Sequence, residues 1–207
     1  MKTKKIVYLM LLVFFSICFL KIIQAQENSQ KIISLDIGAQ FYATGWMGDG
    51  EIGDKHIQLL EACSEDPQTQ PYCIKITYQS FGIKAWGGIY WQNRPNNWGD
   101  EPGENFSKAR YKYVIFWARG AKGGEIVEFK TGGINTPGKK YRDSFEAKIG
   151  KVVLNKEWKK FRISLEGKNL SSVIGGFCWV ASKAGNPQGL TFYLDDIMFV
   201  SDDPGSY

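Results

Sequence analysis

The chain has 207 residues, 43% hydrophobic and 23% charged, a balance that excludes a disordered, collagen-like or polytopic membrane protein. The formal net charge of +5 and pI of about 8.9 would suit a polyanionic partner only if that charge belonged to the folded part. The charge is concentrated at the start of the chain instead.

Lys2, Lys4 and Lys5 precede a largely apolar run of 15 residues, Ile6 to Leu20, followed by Lys21 and Ile23-Gln24-Ala25. That run is short for a membrane span and right for a signal-peptide core, so residues 1–25 are expected to be removed after Ala25. Cys18 follows a bulky Ile17, a poor lipobox. Soluble export is therefore expected, secreted or periplasmic with no membrane contact after cleavage, ahead of an uncleaved anchor or a lipoprotein. Cleavage removes four lysines and no acids, leaving 22 Lys+Arg against 21 Asp+Glu. No basic block remains for phosphate contacts, so a nucleic-acid partner is not expected.

The mature part is read as a flexible 26–30, one domain over 31–203 and a tail over 204–207. Gly48-Asp49-Gly50-Glu51-Ile52-Gly53 matches the spacing of a dinucleotide fingerprint, but no strand–helix–strand unit surrounds it and its two acids would repel a pyrophosphate. Ile57 to Ala62 carries the one hint of helix. Cys63 and Cys73 bracket a turn-rich Ser-Glu-Asp-Pro-Gln-Thr-Gln-Pro segment and could pair, contributing about 2–3 kcal/mol; the alternative is that both thiols, with Cys178, stay reduced. Cys178 lies in an apolar run and reads as a buried free thiol.

Tyr72 to Tyr78 and Lys160 to Leu165 alternate apolar and polar, the mark of strands with one wet face. Tyr111 to Ala118, Val173 to Ala181 and Leu190 to Val200 are apolar on both faces and predict central strands of a two-layer stack. Trp117, Trp158 and Trp179 are expected in the core. Gly, Pro and Asn punctuate the intervals, and all 23 glycines fall after residue 25. The fold class is all-β: a single jelly-roll sandwich of about nine to eleven strands.

Phe116-Trp117-Ala118-Arg119-Gly120, Gly123-Gly124-Glu125, Glu128-Phe129-Lys130, Glu157-Trp158-Lys159 and Phe192-Tyr193-Leu194-Asp195-Asp196-Ile197 occur in that order. This series resembles the galactose-binding-like jelly rolls that serve as carbohydrate-binding modules in bacterial exported proteins, and is similar to the complex I intermediate-associated proteins through the same middle strands. The resemblance implies a poly- or oligosaccharide partner, with a glycan-degrading enzyme or a cell-surface protein as a possible companion. It also implies a structural calcium joining an early loop to an aspartate of the last strand, the position of Asp195. Asp49, Glu51 and Asp54 form an oxygen-rich turn suited to a hard cation, so Asp49, Asp54 and Asp195 are the expected Ca2+ ligands. Alternation would put Asp195 on one face with Ile197 and Phe199.

Enzyme signatures are scarce. No Gly-x-Ser-x-Gly elbow occurs, His56 is the sole histidine, and Glu125 and Glu128 should point to opposite strand faces. No catalysis is expected, and no catalytic residue is assigned. Seven tryptophans remain after cleavage, and residues 86–98 are their densest setting. An indole stacks on the C–H face of a sugar while amides and guanidinium groups bond its hydroxyls, so Trp86, Tyr90, Trp91, Gln92, Asn93, Asn97 and Trp98 are the expected carbohydrate contacts. Ile89 and Trp91 should share one strand face, Tyr90 and Gln92 the other, and Asn93 to Trp98 should be loop. The competing readings are a structural or protein-interaction domain of the cell surface, and a glycan hydrolase or lyase on the same scaffold.

Overall fold

In the computed structural model residues 32–52 and 56–203 are described; the expected signal peptide, flexible segment 26–30, Asp54 and tail lie outside them. Eleven strands form two antiparallel sheets among the described residues. They are β1 (Ser34–Asp36), β2 (Tyr42–Gly48), β3 (Ile57–Cys63), β4 (Cys73–Tyr78), β5 (Trp86–Gln92), β6 (Tyr113–Gly120), β7 (Ile126–Gly132), β8 (Glu146–Val153), β9 (Lys159–Ser164), β10 (Gly175–Ser182) and β11 (Leu190–Val200). One sheet runs β3-β4-β11-β6-β9 with β1 also on β11; the other runs β2-β5-β10-β7-β8. The described residues thus form the all-β sandwich that the strand patterns predict.

The two-sided apolar runs become the strands they predict. β10 and β11 lie inside their sheets, and Trp179, Phe177, Phe192 and Phe199 are fully buried. Aromatic rings bridge the layers: Phe116 of β6 lies 4.7 Å from Phe129 of β7 and 5.0 Å from Phe177 of β10, and Trp179 lies 5.2 Å from Phe192, all centroid to centroid. Offset and edge-on ring pairs of this kind add to the area they bury.

Three expectations are corrected. The helix hint at Ile57 to Ala62 is strand β3, an outer strand with Ile57 and Cys63 buried and Gln58, Leu60, Glu61 and Ala62 exposed. Pairing with β4, which its own six residues could not announce, overrides a weak helical period. Trp117 and Trp158 are half-buried rather than core; Trp158 packs with Arg119 and Tyr193 away from the main cluster, so of the three only Trp179 is central. Third, Asp195 does not share a face with Ile197 and Phe199. The β11–β6 register shifts between Asp195 and Met198, and Asp196 takes φ +46°. This bulge resets the alternation: Leu194, Ile197 and Phe199 all join the core, while Asp195 is left on the other side.

Candidate functional site

Residues 86–98 fold largely as anticipated and point largely elsewhere. Ile89 and Trp91 face the core, Tyr90 belongs to a second cluster on the outer face, and the chain leaves the strand after Gln92. Trp91 is 2% exposed, Gln92 and Asn93 are fully closed off, and Asn97 and Tyr90 are buried. None of these five side chains presents more than 3% of its surface. The reason lies in the loop that follows, whose backbone must find partners away from water. The Asn97 carboxamide oxygen accepts from Gly99 N and Glu101 N, and its amide donates to Asn93 Oδ1. Asn93 donates to Pro102 O, and Gln92 to Asn97 O at 2.8 Å. The amides build the loop. Tyr90 donates to Gly132 O at 3.0 Å, and burial pushes its hydroxyl pKa upward.

Trp86 and Trp98 remain half-buried and present surface. Both belong to the outer face of the five-stranded sheet. Trp98 stands edge-on to Tyr90 at 6.0 Å, in one cluster with Tyr141, Met47 and Val180. Gly88, between Trp86 and Tyr90 along β5, pairs with Val180; a Cβ there would meet Trp179 O at 2.5 Å, so only glycine fits this floor. Lys130 lies 4.9 Å over the Tyr90 ring, and Glu128 pairs with Val180 beside it. The result is a strip of partly exposed aromatic rings bordered by Glu128, Lys130 and, over Tyr141, Lys140.

Asp143 fixes the far side of this strip. It is buried, and its carboxylate accepts from Ile134 N, Ile174 N and Gly175 N, tying the β7–β8 connection that carries Tyr141 to the start of β10. Burial outweighs these bonds and pushes its pKa up to about 6.

A concavity of about 640 Å³ opens on the side of β11 away from β6. β4 pairs with β11 as far as Leu194, and β1 pairs with it from Met198. Between them the Asp196 bulge leaves a gap with Trp91 and Phe41 at its floor. Tyr42 and Tyr72, 49% and 55% exposed, stand among its walls. Thr69 N donates to Asp195 Oδ2 at 3.0 Å and Thr69 Oγ1 to Asp196 Oδ2 at 2.6 Å. Burial, then the neighbouring Asp196, raise the Asp195 pKa. The β3–β4 connection is clamped on its other side: Arg119 donates to Glu65 O, stacks 3.8 Å from the Tyr193 ring, and Trp158 Nε1 donates to Asp66 O.

Of the three expected calcium ligands, Asp54 lies outside the described residues, and Asp49 and Asp195 bond to separate partners. Asp49 is buried at a different place, with Oδ2 accepting from Tyr78 OH at 2.8 Å and Oδ1 from Lys84 N at 2.9 Å. Glu51 pairs with Lys84. Asp49 and Asp195 share no partner, and no group of three or more His, Cys, Asp or Glu suited to a metal occurs among the described residues. Cys63 and Cys73 stand directly opposite each other on β3 and β4 as free, buried thiols, with Cys73 Sγ 3.4 Å from Cys63 O. Burial and the adjacent Cys63 push the Cys73 thiol up to about 12. Cys178 is a fully buried thiol, likewise pushed up to about 12 by burial.

No protein-family model and no curated protein matches this sequence. Solved structures do. A family 30 carbohydrate-binding module matches at TM-score 0.53 and 15% identity, covering 86% of this chain and 92% of its own. A family 11 carbohydrate-binding module from Clostridium thermocellum, in complex with a beta-1,3-1,4-mixed-linked tetrasaccharide, matches at 0.51 and 10%, covering 81% and 94%. At such identities the likeness is one of fold. The chain is a jelly-roll β-sandwich of the kind these modules share.

Sequence reasoning did not bring Tyr141 to the aromatic strip, nor Tyr42, Tyr72, Thr69 and Asp196 to the gap beside β11. The one signal for the gap was an Asp-Asp pair inside the otherwise apolar Leu190 to Val200, a conflict that a bulge resolves.

Proposed function

We propose that this chain is a non-catalytic carbohydrate-binding domain that holds a glycan on the outer face of its five-stranded sheet. The observation that carries this reading is the half-buried aromatic strip of Trp86, Trp98 and Tyr141, set over the Gly88 floor and flanked by Glu128 and Lys130. The rings would stack on sugar C–H faces, while Glu128 and Lys130 bond hydroxyls. The sandwich likeness to family 30 and family 11 carbohydrate-binding modules supports the ligand class. Export belongs to the same proposal, as does a partner enzyme or cell-surface protein that the domain brings to glycan. Among the described residues no helix is long and apolar enough to cross a membrane.

Affinity electrophoresis on a panel of polysaccharides, mixed-linkage β-glucan included, tests this. Retardation by at least one glycan, weakened about tenfold in Trp86→Ala or Trp98→Ala, is expected from the loss of about 1–1.5 kcal/mol per ring. Retardation unchanged in both variants would move the site elsewhere, and reducing-sugar release would favour a hydrolase. One observation favours the protein-interaction reading: Phe81 and Ile83 are 74% and 100% exposed in the β4–β5 connection.

A further inference from the structure

The gap beside β11 is a built concavity that the sheet-face reading does not use. Its origin is the topology: two strands share one side of β11, and neither reaches Asp195 to Ile197. At about 640 Å³ it falls in the range of small-ligand pockets. Two half-exposed tyrosine rings, an unusual outlay for a surface of this sort, offer apolar faces to a ligand. The charged side chains are of one sign. Asp36, Glu61, Asp195 and Asp196 line the gap, and no lysine or arginine does. The carboxylates only accept hydrogen bonds when ionised, so the matching ligand is rich in donors and carries no negative charge. Trp91 and Phe41 close the bottom, which suits the end of a chain better than its middle.

We infer that this gap is a second saccharide site, which takes the terminal unit of a neutral or amine-bearing glycan between Tyr42 and Tyr72 and rejects acidic sugars. The inference rests on the carbohydrate reading for its ligand class, but not on the sheet face. Hydroxyl or ammonium groups would donate to the aspartates, and Asp196 is held for this by Thr69 Oγ1. An amine should strengthen binding in low salt, because four carboxylates and no lysine or arginine line the gap, although Asp36 and Asp195 each already accept from a backbone N–H.

The test is NMR titration of the whole protein carrying 13C-labelled tyrosine, with three probes: cellotriose, a glucosamine trimer and a galacturonate trimer. Ring signals of Tyr42 and Tyr72, assigned by Tyr42→Phe and Tyr72→Phe, should shift saturably with the first two and not with the third. The glucosamine trimer should bind more tightly than cellotriose, by about threefold or more at low salt. Tyr72→Ala should weaken cleft binding about tenfold, with the melting temperature as a check on folding. Unmoved Tyr42 and Tyr72 signals with all three probes would overturn the inference, as would equal shifts with the galacturonate trimer. Shifts at Tyr141 alone would uphold the sheet-face reading and refute this one; shifts at Tyr42 and Tyr72 alone would do the reverse.

Discussion

Two regions of this molecule concentrate groups that could bind a sugar, and they reach that state by opposite routes. Residues 86–98 are dense in tryptophan, asparagine and glutamine, yet Gln92, Asn93 and Asn97 spend their amides on the loop's own backbone. The gap beside β11 draws Tyr42, Tyr72, Thr69 and Asp196 from three separate stretches, none of which stands out in composition. What decides availability is where backbone polar groups already find partners. A loop that leaves a strand consumes its amides; beside the break in the sheet Asp36 and Asp195 likewise accept from Gly38 N and Thr69 N, whereas Tyr42 and Tyr72 keep about half of their surface open.

The largest expected effect breaks the two regions apart. Asp143→Ala leaves the N–H groups of Ile134, Ile174 and Gly175 without their acceptor, costing about 3 kcal/mol or more. Thermal denaturation should show this loss, and Tyr141 and Trp98 should lose their fixed setting while the β11 gap keeps its own. A variant melting with the wild type would contradict the role given to Asp143.

Cys63 and Cys73 act on the other region. They face each other at the base of the connection that carries Thr69 and Tyr72. Oxidised to a disulfide, as export would allow, the pair should stabilise the domain by about 2–3 kcal/mol over its reduced form. Melts with and without reductant check it; coincident curves would mean the thiols do not pair.

A smaller effect concerns pH. The Asp143 pKa of about 6 in the folded state lies above the ordinary carboxylate value, so the folded form holds its proton more tightly than the unfolded form. This contribution to stability is present at low pH and is lost as pH rises from about 4 through 6. Urea unfolding of wild type against Asp143→Asn should show the wild type's relative stability falling across that window. A difference that rises instead would reverse the sign argued here.

The smallest expected effect is that of calcium. Since Asp49 is engaged by Tyr78 and Lys84, melts in calcium and in chelator should coincide. A clear upward shift with calcium would point to the turn containing Asp54.

The sandwich was legible in the sequence because its signal is periodic: two-sided apolar runs at Tyr111, Val173 and Leu190 became β6, β10 and β11, and Tyr72 to Tyr78 became β4. Strand faces within 86–92 were legible for the same reason. What periodicity does not carry is the bulge at Asp196, which depends on three strands meeting, or the burial of Asn93 and Asn97, which depends on a loop closing over itself. Trp158 shows the same limit: its place against Arg119 and Tyr193 is set by a segment 92 residues away in sequence, through Asp66.

The most direct test of the central claim follows the indole N–H signals while the glycan that retards the protein most is titrated in. Binding on the five-stranded sheet predicts that Trp86 and Trp98 shift saturably with one affinity, while the buried Trp179 stays in place. Saturable binding that leaves both Trp86 and Trp98 unmoved would contradict it.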